Sequence, residues 1–106
     1  MTLKELQSLP LYMSRGVNAA IINADTFAYI QKCLQAYYSG NYGEVPPEDV
    51  ELNNADLASG TGHVLARYPA KHSLKEDIYI ESHFYDAQPL SDLNYNNTVV
   101  CYVSER

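Results

Sequence analysis

Tryptophan is absent from this chain of 106 residues, and phenylalanine and cysteine occur twice each. Cys33 and Cys101 lie too far apart for any zinc or redox spacing. No basic start followed by an apolar core appears at Met1, so the expectation is a cytoplasmic chain without a secretory leader. Both cysteines are then reduced thiols packed as small hydrophobes. The longest purely aliphatic run, Ala19 to Ile22, falls well short of the ~20 residues that span a bilayer. Positive charge is scarce as well: 7 Lys and Arg stand against 13 Asp and Glu, a net of −6. Phosphate backbones are held by Lys and Arg, so direct nucleic-acid binding is not expected.

What remains is an ordinary globular chain with one odd feature. The apolar fraction of 46% is that of folded proteins, and the length makes residues 1–106 a single domain. Ten of its aromatic residues are tyrosines. Tyrosine has a large flat body and a wet tip, which suits the roof of a small core and also interfaces.

The acidic excess is local. Residues 1–38 carry a net +1, residues 39–62 a net −5 with no basic residue, and residues 63–106 a net −2. The middle stretch holds Glu44, Glu48, Asp49, Glu51 and Asp56.

Thr2-Leu3-Lys4-Glu5 reads as a capping box opening a short helix to about Ser8, which Pro10 ends. Leu11 to Met13 is extended or irregular, and Arg15-Gly16 reads as a turn. Asn23 or Asp25 caps a helix running to about Tyr38, with Phe27, Ile30, Leu34, Tyr37 and Tyr38 as its core stripe and Cys33 at the edge. A further helix runs from about Pro47 to Ser59, with proline in its first turn and Gly60 past its end. Val50 and Leu57 share one side of it, and the carboxylates occupy the opposite arc with Leu52 in their midst. From His63 the period changes to two. Strands are expected at Val64 to Tyr68, Ile78 to Tyr85 and Thr98 to Val103, the last grouping Val99, Cys101 and Val103. The fold class is therefore α+β, with two or three helices packed on a small three-stranded antiparallel sheet.

No constellation for catalysis emerges. His63, His72 and His83 match no His-based zinc signature, so neither a metal nor another cofactor is expected. His83 shares a sheet face with Glu81, a carboxylate that raises an imidazole pKa. Ser59-Gly60-Thr61-Gly62 lacks the lysine of a phosphate loop and follows a helix, whose C-terminus repels phosphate. An enzyme built on His63, His83 or Cys33 lacks the converging groups that chemistry requires, and the expectation is no enzyme.

Three pieces in order carry a resemblance. They are Arg15-Gly16-Val17-Asn18-Ala19; then Ser39-Gly40-Asn41-Tyr42-Gly43-Glu44 with Glu48-Asp49, Asn53-Asn54, Leu57 and Gly60; then Val64 to Tyr68 with Ile78-Tyr79-Ile80. Over residues 16–82 the chain resembles small bacterial proteins of plasmids and phages. Those have a helix ending in G-D-W-G, a helix with E-E-D…N-D…L…G, then L-L-S-A-Y and I-W-I-I-T-E. Here Tyr42 replaces the tryptophan and Asn41 the aspartate. The resemblance implies a mobile-element setting and an α+β fold, and carries no catalytic residue across.

Two functional expectations follow. In the first, a binding protein of a mobile element, of anti-CRISPR or antirestriction type, blocks a basic nucleic-acid-binding machine of its bacterial host. Its acidic surface is Glu44 together with Glu48, Asp49, Glu51 and Asp56 on a stiff helix, with Tyr42 as aromatic anchor. In the second, a protein-interaction module meets a partner or a second copy through Tyr79, Tyr85 and Tyr102 on the sheet.

Overall fold

Four helices form where the local chemistry favours them, and three have side-chain caps. Thr2 and Glu5 close the capping box of α1 (Leu3–Gln7). Ser14 accepts a hydrogen bond from Val17 N and starts α2 (Arg15–Ala20), where a turn was expected; β1 (Leu11–Met13) precedes it. Asn23 accepts from Thr26 N at the head of α3 (Ala24–Tyr38). The last helix, α4 (Pro47–Ser59), starts on proline and stops at Gly60. Gly60 has φ +79°, a left-handed conformation open to glycine at little cost, and its N–H caps Asp56 and Leu57 carbonyls. The computed structural model describes residues 1–106.

Three long strands follow: β2 (Thr61–Tyr68), β3 (Ile78–Tyr85) and β4 (Asn97–Tyr102). They pair as an antiparallel meander, as expected. The sheet nevertheless has four strands and is mixed, in the order β1-β4-β3-β2. Leu11–Met13 joins the far edge parallel to β4, with Tyr12 beside Val99. A parallel neighbour needs a long crossover. Here the crossover is the whole of α2 to β3, so no local pattern announces the partner.

All four helices leave one sheet face clear. The core lies on the other side, where Val64, Ala66, Ile78, Ile80 and Val100 meet Leu6, Val17, Ile30 and Tyr37. The α3 stripe is rotated from its expected position: Thr26, Ile30, Cys33 and Tyr37 are buried, while Phe27 is 47% exposed. Thr26 goes inside because its hydroxyl is satisfied by Asn23 Oδ1 and Ser73 Oγ. Tyr37 donates to Val64 O at 3.1 Å and Ser82 Oγ at 2.7 Å, which ties α3 to the middle of the sheet. Its phenol is pushed up in pKa by burial.

The third expected strand shifts by one face. Thr98, Val100 and Tyr102 point to the core, Val99 and Cys101 point away, and Val103 has left the strand for a 3-10 turn (Val103–Glu105). Alternation alone cannot say which of two half-apolar faces goes inward.

Candidate functional site

The outer edge of β2 is where the acidic segment docks, and the contacts are made one strand residue at a time. His63 N donates to Asp56 Oδ2 at 3.0 Å. Leu65 is gripped on both sides by Asn53, whose Oδ1 accepts from Leu65 N at 3.0 Å and whose Nδ2 donates to Leu65 O at 2.9 Å. Arg67 N donates to Tyr42 O at 3.0 Å, and Arg67 O accepts from Glu44 N at 2.7 Å. At that bridge Gly43 adopts φ +70° so close to Arg67 O that a Cβ would collide with it. An open sheet edge invites pairing with other chains. Here α4 and the 42–44 turn occupy the edge as a further strand would.

This docking sorts the expected acidic residues into two groups. Asp56 turns inward to the strand, and Asn53 with Leu57 forms the buried side of α4. Glu44, Glu48 and Glu51 are exposed and Asp49 half-exposed. Each of these four lacks an ion pair, since the molecule's Lys and Arg bridges go to Asp77 and Glu81. Leu52 stands among them, 63% exposed. Tyr42 is corrected: it is 4% exposed, with its ring 6.0 Å from that of Tyr37, so the core holds the expected anchor.

The uncovered sheet face carries the opposite electrostatics, because its charges are matched. Arg67 Nη2 lies 3.0 Å from Asp77 Oδ2, and Arg106 Nη2 lies 2.7 Å from Glu81 Oε2. The ring of Tyr79 sits beneath both guanidiniums, at 5.9 Å for Arg67 and 5.5 Å for Arg106. Glu81 also meets His83 Nε2 at 2.7 Å. Burial pushes the Glu81 carboxyl up in pKa, but hydrogen bonds from His83 and Arg106 outweigh it and hold the group below its ordinary value. The hydrogen bond to Glu81 raises the pKa of His83. A backbone hydrogen bond from Ala70, then Arg67, holds Asp77 low.

Of the tyrosines expected on this face, Tyr79 is half-buried and Tyr85 is 41% exposed, its ring 6.3 Å from that of Tyr95. Tyr102 is corrected. It pairs opposite Ile78 on the core face, is 6% exposed, and its hydroxyl accepts from Lys75 N. Sequence reasoning missed Tyr12, Leu65 and Arg106, which also belong to this side. Their signal exists only once strand register is known.

Cys33 is on the buried side of α3, on the far side of the sheet from His63 and His83, and burial raises its thiol pKa. Cys33 therefore does not converge with either histidine. Two adjoining shallow grooves of about 500 and 370 Å³ share Tyr29, Lys32 and Lys71, with the Lys71 ammonium 5.3 Å from the Tyr29 ring centre. No group of three or more His, Cys, Asp or Glu is arranged to hold a metal ion, and no helix is long and apolar enough to cross a membrane.

Comparison with known proteins finds no matching family model, no matching curated protein and no matching solved structure.

Proposed function

We propose that this chain is a non-enzymatic binding protein of a mobile element, acting in the cytoplasm of a bacterial host. Its partner is a basic protein that handles nucleic acid, of the kind met in CRISPR or restriction defence. The observation that carries this reading is the set Glu44, Glu48, Asp49 and Glu51: exposed or half-exposed, and free of internal cations. Carboxylates without an internal partner keep their full field for an external one. The helix that carries Glu48, Asp49 and Glu51 is held to β2 through Asn53 and Asp56, and Glu44 through its own N–H to Arg67 O, so they approach a partner as a rigid array. The mechanism is competition for the cationic channel that otherwise holds DNA, and it uses no cofactor.

The second reading, a protein-interaction or dimerising module, draws on the uncovered face. No side chain on it is buried, and Tyr79, Tyr85 and Tyr12 lie on it. That surface is charge-matched, so its binding would vary little with salt, whereas the acidic array predicts steep weakening.

The test is a competition assay. DNA binding by purified CRISPR effectors and restriction enzymes is measured with and without the chain, at salt from about 50 to about 300 mM. The expected result is inhibition that fades as salt rises and is lost in the variant Glu44→Gln/Glu48→Gln/Asp49→Asn/Glu51→Gln. Inhibition that survives both treatments overturns the acidic reading, and a dimer disrupted by Tyr79→Ser supports the second.

A further inference from the structure

His63 on β2 stands directly opposite His83 on β3. Their ring centres are 5.9 Å apart, with the rings tilted by 34°. Both imidazoles are about half exposed, and neither contributes to the core. What sets the pair apart is a carboxylate beside each ring, hydrogen-bonded to it at His83 and only nearby at His63. Asp56 Oδ2 lies 3.9 Å from His63 Nδ1, and Glu81 Oε1 lies 2.7 Å from His83 Nε2.

Those carboxylates are themselves held. Asp56 Oδ2 accepts from His63 N at 3.0 Å, and Glu81 Oε2 accepts from Arg106 Nε at 2.9 Å. A carboxylate at one ring nitrogen orients an imidazole and makes the other nitrogen a better donor to a metal. The hydrogen bond to Glu81 leaves Nδ1 of His83 uncommitted, and neither ring nitrogen of His63 takes part in a hydrogen bond, so each of the two neighbouring rings has a nitrogen to offer.

We propose that His63 and His83 together bind one divalent transition-metal ion of the Zn²⁺, Ni²⁺ or Cu²⁺ class, with Glu81 as the positioning residue of His83. Imidazole nitrogen suits these ions, while the harder Mg²⁺ and Ca²⁺ prefer oxygen. With each nitrogen about 2.0–2.1 Å from a shared tetrahedral ion, the ring centres would stand roughly 5 Å apart. The rings must therefore close by roughly 1 Å, a small change of χ for exposed side chains. No third ligand completes the set, so water fills the remaining positions and the ion exchanges freely. Arg106 is the one cation beside the pair, and its charge is committed to Glu81. This site is independent of the acidic array and survives the failure of that reading.

The test uses the full chain and Zn²⁺ alone at about pH 7.5 and again at about pH 8, because Glu81 raises the pKa of His83 and only the neutral ring binds a metal. Imidazole signals of all three histidines are followed by NMR. The expected result is that His63 and His83 shift together and saturate with one ion per chain, while His72, on the helical side beside Tyr29, stays still. His63→Gln and His83→Gln should each weaken binding at least tenfold, and Glu81→Gln about tenfold, with unchanged circular dichroism. Three histidines shifting in parallel, no shift at about millimolar Zn²⁺, or single variants that bind like the parent would overturn the site. The wild-type shifts decide the matter even where a variant folds poorly.

Discussion

Segments 44–51 and 76–81 are both acidic, and their carboxylates do opposite things. In 76–81, Glu76 accepts from Ser104 N and Oγ, Asp77 takes Arg67 and Ala70 N, and Glu81 takes His83 and Arg106. Their charge is spent in fastening the hairpin and the C-terminal residues to the sheet. In 44–51, Glu44, Glu48, Asp49 and Glu51 fasten nothing, although the backbone and the Asn53 side chain beside them hold the edge of β2. A count of acidic residues cannot separate these roles. The separation depends on whether a donor from a distant part of the chain arrives within reach.

The strongest way to sharpen this contrast is to cut the attachment that makes the acidic segment rigid. Asn53→Ala strands Leu65 N and Leu65 O at a covered edge, and should cost about 2–4 kcal/mol in urea unfolding, since each buried group left unpaired costs about 1–3 kcal/mol. A loss under about 0.5 kcal/mol would mean that water replaces the amide and that α4 is only loosely attached. Next in size is the fourfold amide variant of 44–51. It should weaken partner binding about a hundredfold, or about 2.7 kcal/mol, while leaving stability equal or slightly higher because like-charge repulsion is relieved. A large drop in melting temperature would show that these carboxylates have internal partners after all.

Glu81→Gln probes the other side. It should cost about 1 kcal/mol, kept modest because Arg106 and His83 are both partly exposed and screened. The same pair has a pH signature of definite sign. His83 has a raised folded pKa, so its stabilisation is complete below its unfolded value of about 6.5 and is lost as pH rises through the folded one. Glu81 and Asp77 have depressed pKa values, so theirs is complete above about pH 5 and is lost as pH falls through the folded values. Urea midpoints should therefore fall from pH 6 to pH 8 in the parent by more than in His83→Gln, roughly the window set by an unperturbed pKa near 6.5. Equal slopes would break the assignment. Smallest of all, Leu52→Ala should change stability by less than about 0.5 kcal/mol, because the side chain is already 63% exposed.

Much of the secondary structure was legible because it is written in short-range chemistry. Thr2 and Glu5, Asn23, Pro47 and Gly60 mark helix ends that the structure keeps, and the alternation of Ile78 to Phe84 marks a strand that buries Ile78, Ile80 and Phe84. The Arg15–Ala20 helix was hidden because its cap, Ser14, precedes a glycine that reads as a turn. In α3 the buried face departs from the apolar stripe at Phe27, because the partners that satisfy Thr26 include Ser73, 47 residues away. The exposed carboxylates of 44–51 were legible as a group. That Tyr42 lies inside and that Asp56 faces a strand were not, since both depend on α4 lying along the edge of β2.

Residues close in sequence decide caps, turns and periodicity, because those interactions reach only a few residues along the backbone. Composition likewise settled the acidic balance and its concentration in the middle of the chain. The parallel partner of β1, the face of β4 that turns inward, the meeting of His63 with His83, and the carboxylates that find cations were decided only by the folded arrangement. Each of these requires strand register or a long crossover, and the energy that selects it comes from burying surfaces whose halves lie tens of residues apart.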